Sequence, residues 1–165
     1  MKIVIIGFAT SYKSTIARHL SQKLNMPLMD VDKLVESQAG ITISQMFAEK
    51  GETYFRDLES QVLCDLATKD DCIISCGGGS VMSPHFAPLA QNATVVWLQV
   101  DGKSAHSRLN GHTRPLFDKL SVDELTQKIA ERTPYYAKYA TIKIDTKGKG
   151  SKQVFADVCK SLNLN

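Results

Sequence analysis

A chain of 165 residues is long enough to bury one core and too short for two comfortable domains. A net charge of only +3, with acids and bases mixed along the length, lacks the concentrated basic face that nucleic acid or an anionic membrane would call for. No apolar run approaches the roughly 20 residues that span a bilayer, so a cytoplasmic protein with no membrane partner is expected. A monomer with no nucleic-acid partner is expected with it, although nothing in the sequence fixes the oligomeric state. The four cysteines (Cys64, Cys72, Cys76, Cys159) have no framework spacing and read as reduced, mostly buried thiols. The four histidines are scattered, with no pair at metal-ligating spacing.

In chain order, short β-branched runs at 3–7, 27–30, 72–76, 94–98 and 141–145 read as strands buried on both faces. Helical periodicity intervenes. Ile16, Leu20 and Leu24 share a face in 14–24, and Phe55, Leu58, Val62 and Leu66 share one in 53–68. Two more helices are expected near 121–138 and 151–162. Alternation of this kind predicts an α/β fold: a five-stranded parallel sheet with helices on both faces. Residues 109–120 mix turn formers with a basic residue and suit a surface loop. Trp97 is expected in the core, Met26, Met29, Met46 and Met82 as core or pocket filler, and Tyr135, Tyr136 and Tyr139 packed at a helix end.

The first strand runs into Gly7-Phe8-Ala9-Thr10-Ser11-Tyr12-Lys13-Ser14-Thr15 and then a helix. Strand, loop and helix in that order place loop amides and a helix N-terminus where phosphate oxygens can be bound. Lys13 would reach the β- and γ-phosphates of ATP, and the Ser14 hydroxyl would ligate Mg2+. The spacing fits the G-x-x-x-x-G-K-[ST] pattern, except that Tyr12 stands where the second glycine belongs. A bulky residue there gives up glycine's freedom at a cost of about 1–3 kcal/mol.

Further motifs follow the other strands. Asp30-Val31-Asp32 ends the second; on an extended segment both carboxylates would point the same way, one serving a metal shell and the other accepting a hydroxyl proton. Capping of a helix by the two acids is the alternative. Gly51-Glu52-x-x-Phe55-Arg56-x-x-Glu59 opens a helix, and Arg56 with Arg132 could clamp a carboxylate bidentately. A plain salt bridge from Arg56 to Asp57 or Glu59 is the competing explanation. Gly77-Gly78-Gly79 would let substrate hydroxyls approach backbone amides. Arg114 in the 109–120 loop could swing over the phosphates and exclude water. Because ligands of parallel α/β sheets bind beyond the strands' C-terminal ends, these motifs share one crevice. The residues themselves support ATP-dependent phosphoryl transfer to a small polyhydroxylated carboxylate.

The ordered set, with Arg114-Pro115-Leu116, resembles the signatures of the shikimate kinase family over residues 3 to about 140. The resemblance implies a P-loop, nucleoside-monophosphate-kinase-like single domain over 1–165, with a substrate-binding helical region at about 31–59 and a lid at about 109–120. It implies phosphorylation of the 3-hydroxyl of shikimate, within aromatic amino-acid biosynthesis. Lys13, Asp32 and Arg114 would be catalytic. Gly7, Ala9, Thr10, Ser11, Tyr12, Lys13, Ser14, Thr15, Arg108 and Arg114 would bind the nucleotide, with Arg108 stacking on adenine. Asp32, Arg56, Gly77, Gly78, Gly79 and Arg132 would bind the substrate, and Ser14 and Asp30 the metal. A related kinase with a gluconate-like acceptor is the alternative enzyme. A weakly active or non-catalytic binding protein with a diverged phosphate loop is the alternative of another class.

Overall fold

The computed structural model describes residues 1–109 and 117–165. Five strands, β1 (Lys2–Ile6), β2 (Leu28–Asp30), β3 (Cys72–Ser75), β4 (Thr94–Gln99) and β5 (Ile142–Asp145), form one parallel sheet in the order β2-β3-β1-β4-β5. All five expected strands are present within two residues of their expected ends. Every residue of β1 and β3 is buried, as their unbroken β-branched runs require.

The helices are α1 (Lys13–Leu24), α2 (Val31–Ala39), α3 (Ile43–Glu49), α4 (Gly51–Ala67), α5 (Phe86–Ala90), α6 (Gly102–Leu109), α7 (Val122–Tyr139) and α8 (Ser151–Ser161). Helices α5 and α6 have no delimited counterpart in the sequence reading, and α2 and α3 fall within the helical region expected at about 31–59 without being separated there. They are short, and α2 and α3 bury only two residues and one residue respectively, too few for a clear period. Local capping sets their bounds. The Asp30 side chain accepts from the Lys33 amide at the start of α2, and Gly40 closes that helix at φ 73°. Thr42 and Gln45 form a reciprocal capping box on α3, as Ser121 and Glu124 do on α7.

Two apolar layers cover the sheet. Val4, Ile6, Ile74, Val95 and Trp97 pack beneath α2, α4, α5 and α7 on one face, and Ile3, Ile5, Ile73, Val96 and Leu98 beneath α1 and α8 on the other. This alternation along each strand makes the sheet the middle layer of a three-layer sandwich. Trp97 and Met46 are core residues as expected, whereas Met82 is 40% exposed, because it closes a single 3-10 turn at the surface. Tyr136 is fully buried but Tyr135 faces solvent, since adjacent helical residues point about 100° apart. Cys72 and Cys76 are buried and Cys159 is half-buried, but Cys64 lies on the outer face of α4 and is exposed. No helix among the described residues is long and apolar enough to cross a membrane.

Candidate active site

A cleft of about 750 Å³ opens beyond the C-terminal ends of the strands. Ala9, Thr10, Tyr12, Lys13, Ser14 and Thr15 form one wall, Asp30 and Asp32 the next, then Arg56 and Gly77-Gly78-Gly79, with Arg108 and Arg132 beyond. Four cationic side chains (Lys13, Arg56, Arg108, Arg132) therefore share the space with three carboxylates (Asp30, Asp32, Glu59). The sheet order explains the convergence. β1 lies between β3 and β4, so the chain leaves it towards one edge first and returns to build the other edge later, opening a crevice at the switch.

The loop after β1 takes left-handed backbone turns despite its side chains. Thr10 and Tyr12 sit in the left-handed region at φ 71° and 70°. That conformation is uncommon for any residue with a β-carbon, and a genuine outlier for β-branched threonine. The Lys13 ammonium donates to the Phe8 carbonyl at 2.9 Å, arching over the loop. Gly7, at φ 152°, lies where an added β-carbon would meet the Leu98 carbonyl oxygen at 2.5 Å. Ser11 is fully buried beside it and does not line the cleft. Among the described residues, the buried hydroxyls of Thr10 and Ser11 have no hydrogen-bond partner. Buried polar groups are nearly always satisfied, so of these two hydroxyls the one on Thr10, which lines the cleft, is the one placed to bond a bound group.

Gly77-Gly78-Gly79 backs the other wall. A β-carbon on Gly77 would stand 2.8 Å from Asp32 Oδ1, one on Gly78 3.2 Å from Arg132 Nη1, and one on Gly79 2.7 Å from Arg56 Nη2. Three side chains from three separate elements thus rest on one glycine strip. Only residues without a side chain permit that approach.

Glu59 has a place that its position in the motif did not disclose. It is 1% exposed, accepts from Arg56 Nη1 at 2.8 Å through one oxygen and from the Ser80 hydroxyl at 2.9 Å through the other. The salt-bridge alternative for Arg56 therefore holds together with its cleft position: the buried carboxylate aims the guanidinium. Phe55 packs under the same group, its ring 5.0 Å from the guanidinium carbon. Arg132 lies over Phe8 and Phe117 at 5.4 and 5.7 Å. It sits about two turns before the end of α7. One turn on, the buried Tyr136 hydroxyl donates to the Gly78 carbonyl, tying α7 to the glycine strip.

The two aspartates differ from expectation in backbone. Asp30 caps α2 and Asp32 lies within its first turn, so the extended period-two argument does not apply. Helix geometry still leaves both on the cleft. Burial pushes the Asp32 carboxyl up to about 6, with the Lys13 charge opposing the rise and Asp30, Glu59 and Glu36 adding to it. The adenine-stacking expectation for Arg108 meets a different arrangement, since the Tyr12 ring lies 4.2 Å from its guanidinium carbon. Arg114, and most of the expected lid, lie outside the described residues.

The sequence reading places a substrate-binding region at about 31–59 but names none of Ile43, Ser44 and Phe47 of α3, which line the cleft, nor Phe117. The Ser-containing turn and capping box at Thr42–Gln45 is the one local signal that could have located α3.

A parallel five-stranded sheet whose first strand feeds a lysine-bearing loop at a helix N-terminus defines a P-loop kinase fold. The family model for shikimate kinase matches residues 10–163. A shikimate kinase from Bacillus anthracis is 38% identical over 163 residues, covering 98% of both chains. One from Dehalococcoides mccartyi is 38% identical over 162 residues, covering 97% of this chain and 92% of the relative. Among solved structures, the Aquifex aeolicus shikimate kinase aligns with a TM-score of 0.82 at 36% identity, over 99% of this chain and 96% of that one. The Acinetobacter baumannii shikimate kinase in complex with shikimate aligns at 0.88 and 25% identity, over 98% and 92%. The chain belongs to the shikimate kinase family.

Proposed function

We propose that this chain transfers the γ-phosphoryl group of ATP to the 3-hydroxyl of shikimate, acting as a cytoplasmic monomer. The observation that carries the reading is the glycine strip, which gathers Asp32, Arg132 and Arg56 beside the phosphate loop. Two guanidiniums suit a carboxylate, and a neighbouring carboxylate suits a hydroxyl proton. Shikimate offers both groups on one small ring. The four cations would also draw two anionic substrates into one cleft.

In the reaction, Asp32 accepts the hydroxyl proton as the substrate oxygen bonds to the γ-phosphorus, and the bond from that phosphorus to the β-bridging oxygen breaks to release ADP. Lys13 balances charge on the phosphates, and the loop amides hold them in line. Ser14 and Asp30 present hard oxygen donors on the same cleft, and no cluster of three or more His, Cys, Asp or Glu among the described residues would hold a metal alone. That set fits Mg2+, which binds through one or two protein oxygens together with phosphate and supplies charge neutralisation there. Residues 31–59 act as the substrate-binding region, and Arg114, in the 109–120 lid segment, acts as a catalytic residue on the phosphates. Arg108 belongs to the nucleotide side of the cleft.

The left-handed conformation at Thr10 and Tyr12 favours an active kinase over a decayed binding protein, because the loop keeps dihedrals that glycine would ordinarily supply. The test is ADP release with ATP, Mg2+ and shikimate, run beside gluconate and a no-acceptor control. Release dependent on shikimate is expected. Release with gluconate alone, or none with any acceptor, refutes the assignment.

A further inference from the structure

Only glycine occupies the left-handed region freely, yet this loop places threonine and tyrosine there. Something must hold them, and the contacts around Tyr12 are specific. Its hydroxyl donates to the Lys149 carbonyl at 3.1 Å, bridging 137 positions of sequence. Its ring lies 4.2 Å from the Arg108 guanidinium carbon. Arg108 in turn donates to the Thr10 carbonyl at 3.0 Å, to the Thr146 hydroxyl at 3.0 Å, and to the same Lys149 carbonyl at 3.1 Å. Lys149 is itself anchored, its ammonium 2.9 Å from Asp157 on α8.

We propose that Tyr12 is a positioning residue, a latch that ties the phosphate loop to the connection after β5. It holds Thr10 and Tyr12 in the conformation that turns the loop amides towards a nucleotide's phosphates. Both strained residues are gripped by the network, Thr10 through its carbonyl and Tyr12 through its ring and hydroxyl. A loop built with glycines can visit the cradle without such support but spends conformational entropy to stay there. Here the side chain replaces that freedom with a fixed contact, so the cradle is formed before the ligand arrives. The latch rests on the reading of this cleft as a nucleotide site.

The experiment is calorimetric binding of a non-hydrolysable ATP analogue, inorganic tripolyphosphate and shikimate, each with Mg2+, to the wild-type protein, Tyr12→Phe and Tyr12→Gly. Tyr12→Phe keeps the ring on Arg108 and loses the bond to Lys149, so both polyphosphate ligands weaken by about threefold. Tyr12→Gly removes strain and latch together, and both weaken by about tenfold or more. Shikimate affinity stays within about twofold throughout, since none of these contacts reaches the glycine strip. Tyr12→Gly that binds as tightly as the wild type, or more tightly, overturns the latch. So does a fall confined to the nucleotide with tripolyphosphate unchanged, which would make Tyr12 a direct contact to the base. Circular dichroism melting checks the fold, and if Tyr12→Gly does not fold, the Tyr12→Phe pair of affinities decides. A wild-type protein that binds shikimate but neither polyphosphate overturns the nucleotide-site reading itself, an outcome distinct from failure of the latch alone.

Discussion

Replacing Asp32 by asparagine sets activity against stability in a way that only a buried, ionised carboxylate would produce. The Asp32 carboxyl rises from 3.8 to about 6, mainly through burial. At about 1.36 kcal/mol per unit, the difference of 6 − 3.8, about 2 units, corresponds to about 3 kcal/mol. A carboxyl whose folded-state value is raised gives its full stabilising contribution below about 4, where it is protonated in both states. That contribution is lost as pH climbs through about 6. At pH 8 the free enzyme therefore holds a charge that the fold disfavours. Asp32→Asn has similar shape and no charge at any pH. It should be more stable than the wild type at pH 8 by up to about 3 kcal/mol, a rise of about 6 °C or more in melting temperature for a chain this size. The gain should vanish near pH 4. Turnover should fall by about 10²–10⁴-fold, the usual contribution of a positioned base. Urea unfolding and thermal melts at the two pH values, with shikimate-dependent ADP release, provide the measurements. Equal stability of the two proteins at pH 8 would refute the burial argument, and near-normal turnover would remove Asp32 from the role of base.

Other perturbations probe neighbouring parts of the cleft. For the wild type, kcat/KM for shikimate should fall below pH about 6 as Asp32 takes up its proton, and a profile flat down to pH 5 would count against that group. Lys13→Ala should lower turnover by about 100-fold while calorimetry finds shikimate affinity nearly intact. Gly79→Ala puts a β-carbon within 2.8 Å of two Arg56 nitrogens, so the flexible guanidinium must leave Glu59. Its KM for shikimate should rise by about tenfold with KM for ATP unchanged, and a parallel rise in both would point to general damage instead.

Local chemistry carried much of the molecule to the reader of its sequence. The β-branched runs at Ile3–Ile6 and Cys72–Ser75 have no partner but a buried parallel sheet, because both of their faces are apolar. Gly7, Lys13 and Ser14 have the spacing of a phosphate loop, and the structure brings Lys13 and Ser14 to one cleft with Asp32, Arg56 and Arg132. The bounds of the short helices α2, α3, α5 and α6 were not legible, since helices that bury only one to three residues carry almost no periodic signal.

Tertiary structure decided the rest, for the reason that each outcome depends on residues far apart in the chain. Sequence presents Tyr12 as a cost, because strain is a local property. Its compensation comes from Arg108 and Lys149, brought to it by β4 and β5 pairing on the far side of β1. Glu59 reads as a surface acid on a helix, and it becomes a buried anchor for Arg56 only because Ser80, beyond β3, closes over it. The raised carboxyl of Asp32 likewise has no cause in its neighbours along the chain that could outweigh burial. Burial, partner and pKa are set by what the fold stacks against a side chain, and the sequence alone supplies only the side chain.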